Sequence, residues 1–234
     1  MEYRQHCKCQ SEKGTGQDTH AYVHDLRLAS TSGFAEYDLP MALPRTERLT
    51  PERWAVAALI LGAREGLAAI NMERVAAELG VTKGSAYHHF SSRAALLDSA
   101  LELWKKRATQ DLIDQLNDLA SPHERLAAIL GASIGRDPRD GLEYYILTSQ
   151  DPIATPVIDA VTTARLRFLE EIYRDFGLDE HRSRLWARSC YSTYLGLQVL
   201  RHTLPTDAQV GTGTSADITE MVQQLTPPAT DSAS

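Results

Sequence analysis

The chain has 234 residues, of which 43% are hydrophobic and 24% are charged, a composition typical of a soluble globular protein with one large domain or two small ones. No apolar run approaches the roughly 20 residues of a membrane-spanning helix, and the N-terminus lacks the apolar core of a signal peptide. We therefore expect a cytoplasmic protein with no membrane partner, in which the three cysteines are reduced.

Charge is unevenly distributed along the chain. The net charge of −7 argues weakly against a nucleic-acid binder. From Met41 to Arg107, however, ten basic residues stand against seven acidic ones, so the acidic excess lies elsewhere in the chain. A basic segment on an acidic body is typical of a protein that meets phosphate with one end only.

Residues 1–40 show no sustained helical period. Cys7 and Cys9 could be read as part of a metal site, but no further ligands follow at a suitable spacing. We expect no metal and no other cofactor, and we interpret residues 1–44 as a disordered extension. The segment that Met41 opens is typical of a translational start, so the first forty residues could also precede the true start of the protein.

The first strong helix signal begins at Thr50. Thr50 is a suitable N-cap, Pro51 suits the first helical position, and Glu52 places a negative charge in the first turn. An apolar stripe follows at helical spacing, and Gly66 is expected to end this helix.

The stretch Asn71–Phe90 is predicted to form two short helices joined by a tight turn. Asn71 can cap the first helix, whose apolar residues follow the i, i+3, i+4, i+7 spacing between Met72 and Leu79. Gly80 follows at the position where a left-handed residue is usual, and Thr82 can cap the second helix.

The second of these helices has an apolar back and a small, polar, basic front. Ala86 and Phe90 stand four residues apart and are expected to face inward. The outer side then carries Lys83, Gly84, Tyr87 and His88. A short helix of this kind suits the major groove of DNA.

This region resembles the helix-turn-helix of the TetR family of bacterial transcriptional regulators over about Thr50 to Leu97. The matching residues are Val75-Ala76, the run from Leu79 to Ser85, Tyr87, Phe90, Ser92-Arg93 and Leu96-Leu97. The resemblance implies an all-α protein, with a three-helix DNA-binding unit at 45–93, a helical bundle for ligand binding and dimerisation at 94–226, and a disordered tail at 227–234.

The resemblance also implies a sequence-specific regulator that binds double-stranded operator DNA. Lys83 could donate to guanine O6 or N7, Gly84 would let the backbone approach closely, and Arg93 would meet a phosphate. Tyr87 and His89 could instead pack in the core. The DNA-contacting residues implied in this way are Thr82, Lys83, Gly84, Ser85, Tyr87, His88, His89 and Arg93.

Apolar residues recur at helical spacing through the rest of the chain, and no strand pattern appears. The expected helices run from Arg93 to about Leu116, from Pro122 onward, from Leu142 to Ser149, from about Thr155 to Phe176, from Asp179 to about Thr203 and from Ala216 to Leu225. The helix after Asp179 is apolar over so wide an arc that it needs cover on two sides. This helix and the last one are expected to form a two-fold homodimer, so the operator should be an inverted repeat.

A cavity for an effector is a further implication of the resemblance, and its ligand would move the linking helix and release the DNA. Aromatic walls with a few polar groups suit a mostly apolar small molecule, and Arg165 could favour an anionic or carbonyl group. Each expected residue could equally be plain core or surface. The residues expected around this cavity are Trp104, Tyr144, Tyr145, Arg165, Phe168, Tyr191 and Tyr194.

The expected function is therefore a repressor released from DNA by a small molecule that the sequence does not name. A DNA-binding regulator without a ligand switch, and an adaptor that keeps the fold without binding DNA, remain alternatives. We assign no catalytic residue, since the adjacent His88 and His89 point about 100° apart on a helix and Cys190 lies on an apolar stripe. An enzyme on a helical fold is the disfavoured reading.

Overall fold

The computed structural model describes residues 49–134, 142–204 and 215–228, and every regular element in these ranges is helical, which confirms the all-α fold class. The elements are α1 (Pro51–Glu65), a 3-10 turn (Leu67–Ala69), α2 (Met72–Glu78), α3 (Lys83–Ala86), α4 (Arg93–Lys105), a π-helical turn (Lys106–Gln110), α5 (Asp111–Asn117), α6 (Pro122–Ile134), α7 (Leu142–Leu147), α8 (Ala154–Asp175), α9 (Glu180–Thr203) and α10 (Ser215–Leu225). None of the described helices is long and apolar enough to cross a bilayer.

Several predictions fall on residues that the structure does not describe. The predicted N-terminal extension and nearly all of the predicted C-terminal tail lie outside the described residues. The limits of the two functional units therefore stay predictions.

Three of the four predicted N-cap residues make capping hydrogen bonds. The side chains of Thr50, Asn71 and Asp179 each accept a backbone N–H of the following turn at 2.8 to 3.3 Å. These bonds satisfy N–H groups that have no partner inside the helix. Thr82 occupies the N-cap position of α3 with extended backbone angles, but its side chain makes no capping bond.

Two glycines near the N-terminal helices have positive φ angles that set the direction of the chain. Gly80 (φ +69°) forms the turn between α2 and α3, and Gly66 (φ +83°) ends α1. A Cβ at Gly66 would also lie 3.3 Å from a ring carbon of Tyr145. Other residues rarely adopt such angles, so glycine is required by the backbone at both turns.

A first hydrophobic core joins helices α1 to α4. Trp54, Leu61 and Val75 are fully buried in it, together with Leu97 from α4. The same cluster continues into α7 and α8 through Leu142, Ile146, Val157 and Val161. The N-terminal helices are thus packed directly against the body of the protein.

A second core lies between helices α5, α6, α8, α9 and α10. Its fully buried members include Leu116, Leu126, Ile172 and Tyr173. The Tyr173 hydroxyl donates to the Leu225 carbonyl oxygen at 2.8 Å and so anchors the end of α10. The long helices α8 and α9 pack against each other along this core.

The helix predicted to run from Arg93 to Leu116 is interrupted, which corrects the expectation of one continuous helix. Residues Lys106–Gln110 form a π-helical turn between α4 and α5. Arg165 donates to the Ala108 carbonyl oxygen and to the Thr109 hydroxyl, both at 3.1 Å. Arg165 therefore hydrogen-bonds one carbonyl oxygen and one hydroxyl group of the π-helical turn.

Candidate functional site

Helix α3 presents one exposed face and one buried face. Ala86 is fully buried, and Phe90 just after the helix is nearly so. Tyr87 is 54% exposed, and the other side chains of the outer face are exposed as well. The exposed outer residues are Thr82, Lys83, Gly84, Tyr87 and His88, whereas Ser85 is half-buried. The structure therefore brings most of the predicted DNA-contacting residues onto one surface.

Lys83 and Gly84, at the start of this face, make only weak contacts within the chain. The Lys83 ammonium lies 3.6 Å from a carboxylate oxygen of Glu73, and both side chains are well exposed, so the pair contributes little to stability. A Cβ built at Gly84 would meet only the Thr82 hydroxyl, at an ordinary 3.8 Å. The fold itself does not require a glycine at this position.

His89 faces away from the exposed surface of α3. Its ring centroid lies 6.1 Å from that of Trp54 and 6.5 Å from that of Phe90. The side chain is half-buried, so packing against the first core accounts for this residue. Core packing was the alternative that the sequence left open for His89.

Arg93 has its guanidinium engaged within the chain, and the phosphate contact expected of it stays a prediction. Its Nε donates to the Ile70 carbonyl oxygen at 2.7 Å, and Nη2 donates to that of Leu67 at 3.1 Å. Its Nη1 pairs with Asp151 at 3.2 Å. The side chain thus connects the turn before α2 with the start of α8. The carbonyl oxygens of Leu67 and Ile70 can accept these bonds because they lie in a turn, outside a regular α-helix.

A cavity lies in the second core between the π-helical turn and helices α5, α6, α8 and α9. Its volume is about 70 Å³, well below the roughly 300–1,000 Å³ of typical small-molecule sites, so a ligand would have to widen it. The apolar lining includes Leu112, Leu116, Leu130, Phe168, Leu169 and Cys190. The polar groups in its wall come from Thr109, Arg165, Tyr191 and Tyr194.

Arg165 organises the polar end of this cavity. Its Nη1 donates to a carboxylate oxygen of Glu143, and Nη1 also lies 3.4 Å from the Tyr194 hydroxyl. The guanidinium carbon stands 5.5 Å from the ring centre of Trp104, whose indole N–H donates to Glu143 at 3.0 Å. A buried carboxylate and a buried guanidinium therefore neutralise each other at the cavity wall.

The environment shifts the pKa of two cavity residues. Burial alone would lower the pKa of Arg165. The negative charge of Glu143 raises that pKa by more than burial lowers it, so the pKa lies above its ordinary value and the guanidinium stays charged. Burial raises the pKa of the Cys190 thiol to about 11, and the hydrogen bond with Tyr173 offsets this only in part. Cys190 is thus a neutral wall residue at physiological pH.

The residues predicted around the cavity divide into three groups. Four of them contribute to its wall, namely Arg165, Phe168, Tyr191 and Tyr194. Trp104 lies behind the wall, bound to Glu143. Tyr144 and Tyr145 do not line this cavity: the Tyr144 ring stacks on His202 at 3.8 Å, and Tyr145 packs edge-on against the same imidazole and over Gly66.

Sequence reasoning missed Glu143 and Thr109. Glu143 is nearly fully buried within the otherwise apolar helix α7, and a carboxylate in such a helix is the signal that could have identified it. Thr109 is 1% exposed and lies in the π-helical turn, which the sequence did not predict. The apolar wall residues of α5 and α6 were also missed, because the sequence does not distinguish an apolar stripe that lines a cavity from one that packs in a core.

Comparison with known proteins identifies the N-terminal helices. The sequence model for bacterial regulatory proteins of the tetR family matches residues 56–107, from α1 into the π-helical turn. The uncharacterised helix-turn-helix transcriptional regulator YerO of Bacillus subtilis is 35% identical over 98 residues, which span 41% of this chain and 34% of YerO. The transcriptional activator FasR of Mycolicibacterium smegmatis is 27% identical over 150 residues, which span 62% of this chain and 68% of FasR.

Solved structures with similar folds extend the likeness to the body. FadR of Bacillus subtilis, solved with stearoyl-CoA, superposes with a TM-score of 0.58 at 16% identity, covering 74% of this chain and 97% of FadR. AibR, solved with isovaleryl coenzyme A and operator DNA, superposes with a TM-score of 0.56 at 23% identity, covering 76% of this chain and 98% of AibR. At these identities the likeness shows the fold alone.

Proposed function

Because the chain belongs to the tetR family of bacterial regulatory proteins, we propose that it is a transcriptional regulator that binds operator DNA through α3. The observation that carries this proposal is the exposed face of α3, where a cation, a glycine and two aromatic side chains are all exposed. The N-terminus of the helix adds a positive dipole end to that face, which favours phosphate.

The DNA-binding step is tested by replacing Lys83 with alanine. Lys83 is well exposed and only weakly paired, so the fold should be unaffected, whereas the loss of a base contact should cost about 1–3 kcal/mol of discrimination at one base pair. Fluorescence anisotropy with labelled DNA from the promoter beside the gene measures both affinity and base preference. Arg167→Ala removes an exposed cation from α8 and serves as the matched control. Equal binding by both variants would exclude this face as the interface.

We further propose that the regulator works as a homodimer joined through α9 and α10. Leu185, Val199, Leu200 and Leu204 are all at least 39% exposed along or just after α9, which is unusual for large apolar side chains. A two-fold dimer would cover them and would place two α3 helices on successive turns of an inverted-repeat operator.

Light scattering tests the dimer directly. Leu200→Glu should convert the dimer to a monomer and weaken operator binding, because a charge would be buried in the interface. Thr163→Glu places the same charge at an exposed position of α8 and should change neither property. A monomeric wild-type chain at micromolar concentration, with or without DNA, would contradict the proposal.

The cavity is the proposed effector site, and the effector has an extended apolar part. Two of the proteins with similar folds were solved with acyl-CoA ligands, and the cavity here has a mostly apolar lining with polar groups at one end. The wall includes the π-helical turn that continues α4, so a ligand can act on the helix that carries the DNA-binding unit. A ligand switches the protein only if it prefers the conformation that releases DNA.

Tryptophan fluorescence is a suitable readout for effector binding, since Trp104 stands directly behind the cavity. Acyl compounds that change the emission should then be added to the operator complex, and we expect the complex to dissociate, as for a repressor. If compounds that bind never change operator affinity, the chain is a DNA-binding regulator without a ligand switch. If they strengthen the complex, the ligand acts as a co-repressor or as the signal of an activator.

A further inference from the structure

A carboxylate stands beside the cation of the exposed α3 face. Glu73, in the first turn of α2, has a carboxylate oxygen 3.6 Å from the Lys83 ammonium. The Lys83 side chain is 48% exposed and that of Glu73 is 72% exposed, so a DNA duplex that reaches Lys83 also comes close to Glu73. An exposed pair of this kind contributes little to folding, yet its negative charge opposes the attraction of phosphate.

The backbone fixes Glu73 close to Lys83. The Asn71 side chain accepts the Glu73 N–H at 3.1 Å and so sets the start of α2. Gly80, with a φ of +69°, forms the turn between α2 and α3, and the buried Ala86 packs α3 into the first core. The two charges are therefore brought together by the fold of the helix-turn-helix.

The other charged side chains of α2 are engaged with α1. Arg74 donates to Glu65, and Glu78 accepts a hydrogen bond from Arg64. These pairs join α2 to α1, whereas the Glu73 carboxylate lies beside the start of α3. Glu73 is therefore the acidic residue of α2 that borders the proposed DNA interface.

We propose that Glu73 is a specificity-determining residue that acts through Lys83: it weakens binding to DNA in general and spares the base contact in the operator. The proposal rests on the proposed DNA-binding function of α3. Non-operator DNA is bound mainly through its phosphates, and a lysine whose charge is balanced by a nearby carboxylate attracts them less. A lysine ammonium has three N–H groups, so Lys83 can stay beside Glu73 and still donate to a guanine.

Glu73 also restricts where the Lys83 ammonium moves. A lysine side chain has a flexible four-carbon stem, so a free ammonium adapts to the nearest phosphate of any duplex. An ammonium held near one position adapts less well to random phosphates, and it loses less freedom when it meets the correct base. Both effects of the carboxylate favour the operator over other DNA.

Glu73→Gln tests the proposal, because it removes the charge and keeps the size of the side chain. Fluorescence anisotropy compares the promoter duplex with a scrambled duplex of the same length and composition. We expect the affinity for the scrambled duplex to rise about three- to fivefold, the gain that an exposed ion pair allows. The slope of log affinity against log salt for that duplex should become steeper by up to about one unit.

Operator affinity should change by less than about twofold in Glu73→Gln. The weaker repulsion of phosphate is offset there by the loss of the group that holds Lys83 in place. The ratio of operator to scrambled affinity should therefore fall about threefold. Glu171→Gln makes the same change in net charge at an exposed position of α8 and should leave this ratio unchanged.

A double variant, Lys83→Ala with Glu73→Gln, separates an effect through Lys83 from a general effect of charge. It should have the same affinity ratio as Lys83→Ala alone, because no lysine remains to be balanced or held. Glu73 also lies in the first turn of α2, where an acidic residue stabilises the helix dipole. A role confined to that dipole would lower the melting temperature of Glu73→Gln without changing the ratio.

Two results would overturn the inference: an unchanged affinity ratio in Glu73→Gln, or an equal fall of the ratio with and without Lys83. If Lys83→Ala binds the operator like the wild type, the proposed function of α3 fails and the role of Glu73 fails with it. If Lys83→Ala weakens operator binding while Glu73→Gln keeps the ratio, only the role of Glu73 is refuted.

Discussion

Replacing Arg93 with alanine removes the clearest polar connection between the N-terminal helices and the body. The side chain donates to two backbone carbonyl oxygens in the turn before α2 and pairs with Asp151 at the start of α8. Alanine leaves the Ile70 carbonyl oxygen without this 2.7 Å donor and leaves the carboxylate without its cation. We expect a loss of stability rather than a selective loss of DNA contacts.

The size of the effect follows from these three contacts. Hydrogen bonds to a charged group contribute about 1.5–3 kcal/mol each, and a partly exposed ion pair contributes about 0.2–1 kcal/mol. The arginine side chain is 37% exposed, so water can replace part of what is lost. We therefore expect the free energy of unfolding to fall by about 2–3 kcal/mol, which lowers the melting temperature by about 4–12 °C for a chain of this size.

Asp151→Asn is the matched control for the ion pair alone. The side-chain oxygen of asparagine can still accept the Ile153 N–H, which Asp151 accepts at 3.0 Å, so the start of α8 should be preserved. The expected loss is about 0.5–1 kcal/mol, well below that of Arg93→Ala. Urea denaturation followed by Trp fluorescence measures both values.

A phosphate contact by Arg93 would give a different pattern. Stability would then be unchanged in Arg93→Ala, and the slope of log affinity against log salt would fall by about one unit. Salt titrations of operator binding at a temperature where the variant stays folded measure that slope. Unchanged stability together with a reduced slope would refute the structural role assigned here.

The other predictions concern three glycines and one residue of the cavity wall. Gly84→Ala should keep stability within about 1 kcal/mol, because its Cβ would make only an ordinary contact with the Thr82 hydroxyl, but should weaken operator binding if the backbone approaches DNA there. Gly66→Ala should cost about 1–2 kcal/mol, because φ is +83°, whereas Gly131→Ala in α6 should be neutral or stabilising in thermal melts. The Cys190 thiol holds its proton more tightly in the folded chain, so the stability that this group contributes should be constant below about pH 9 and fall toward about pH 11, and the fall in this range should be smaller in Cys190→Ala.

What the sequence predicted well depends on local interactions. A cap such as Asn71 bonds to N–H groups only two and three residues away, so its role can be recognised from neighbouring residues. The positive φ at Gly80 likewise follows from the residue type and its place after an apolar stripe. The exposed face of α3 followed from the spacing of Ala86 and Phe90.

What the sequence did not predict depends on contacts between distant residues. Arg93 and Asp151 are 58 residues apart, and nothing in either neighbourhood indicates the pair. The aromatic residues of α7 were expected at the cavity because of their type, but they pack against His202, which lies more than fifty residues later in the chain. Side-chain type suggests which residues can bind a ligand, whereas the fold decides which of them can reach it.

The π-helical turn has a consequence for the helical phase of its two flanking helices. In an uninterrupted α-helix, Leu112 and Leu116 would lie about 80° and 120° around the axis from Trp104. One extra residue in a turn shifts the phase by about 100° and brings both leucines to within about 20° of Trp104. Deleting Lys106, Arg107 or Gln110 would keep every wall residue in the chain, yet it would rotate α5 and turn Leu112 and Leu116 away from the cavity. The number of residues in this turn therefore selects which face of α5 the effector meets.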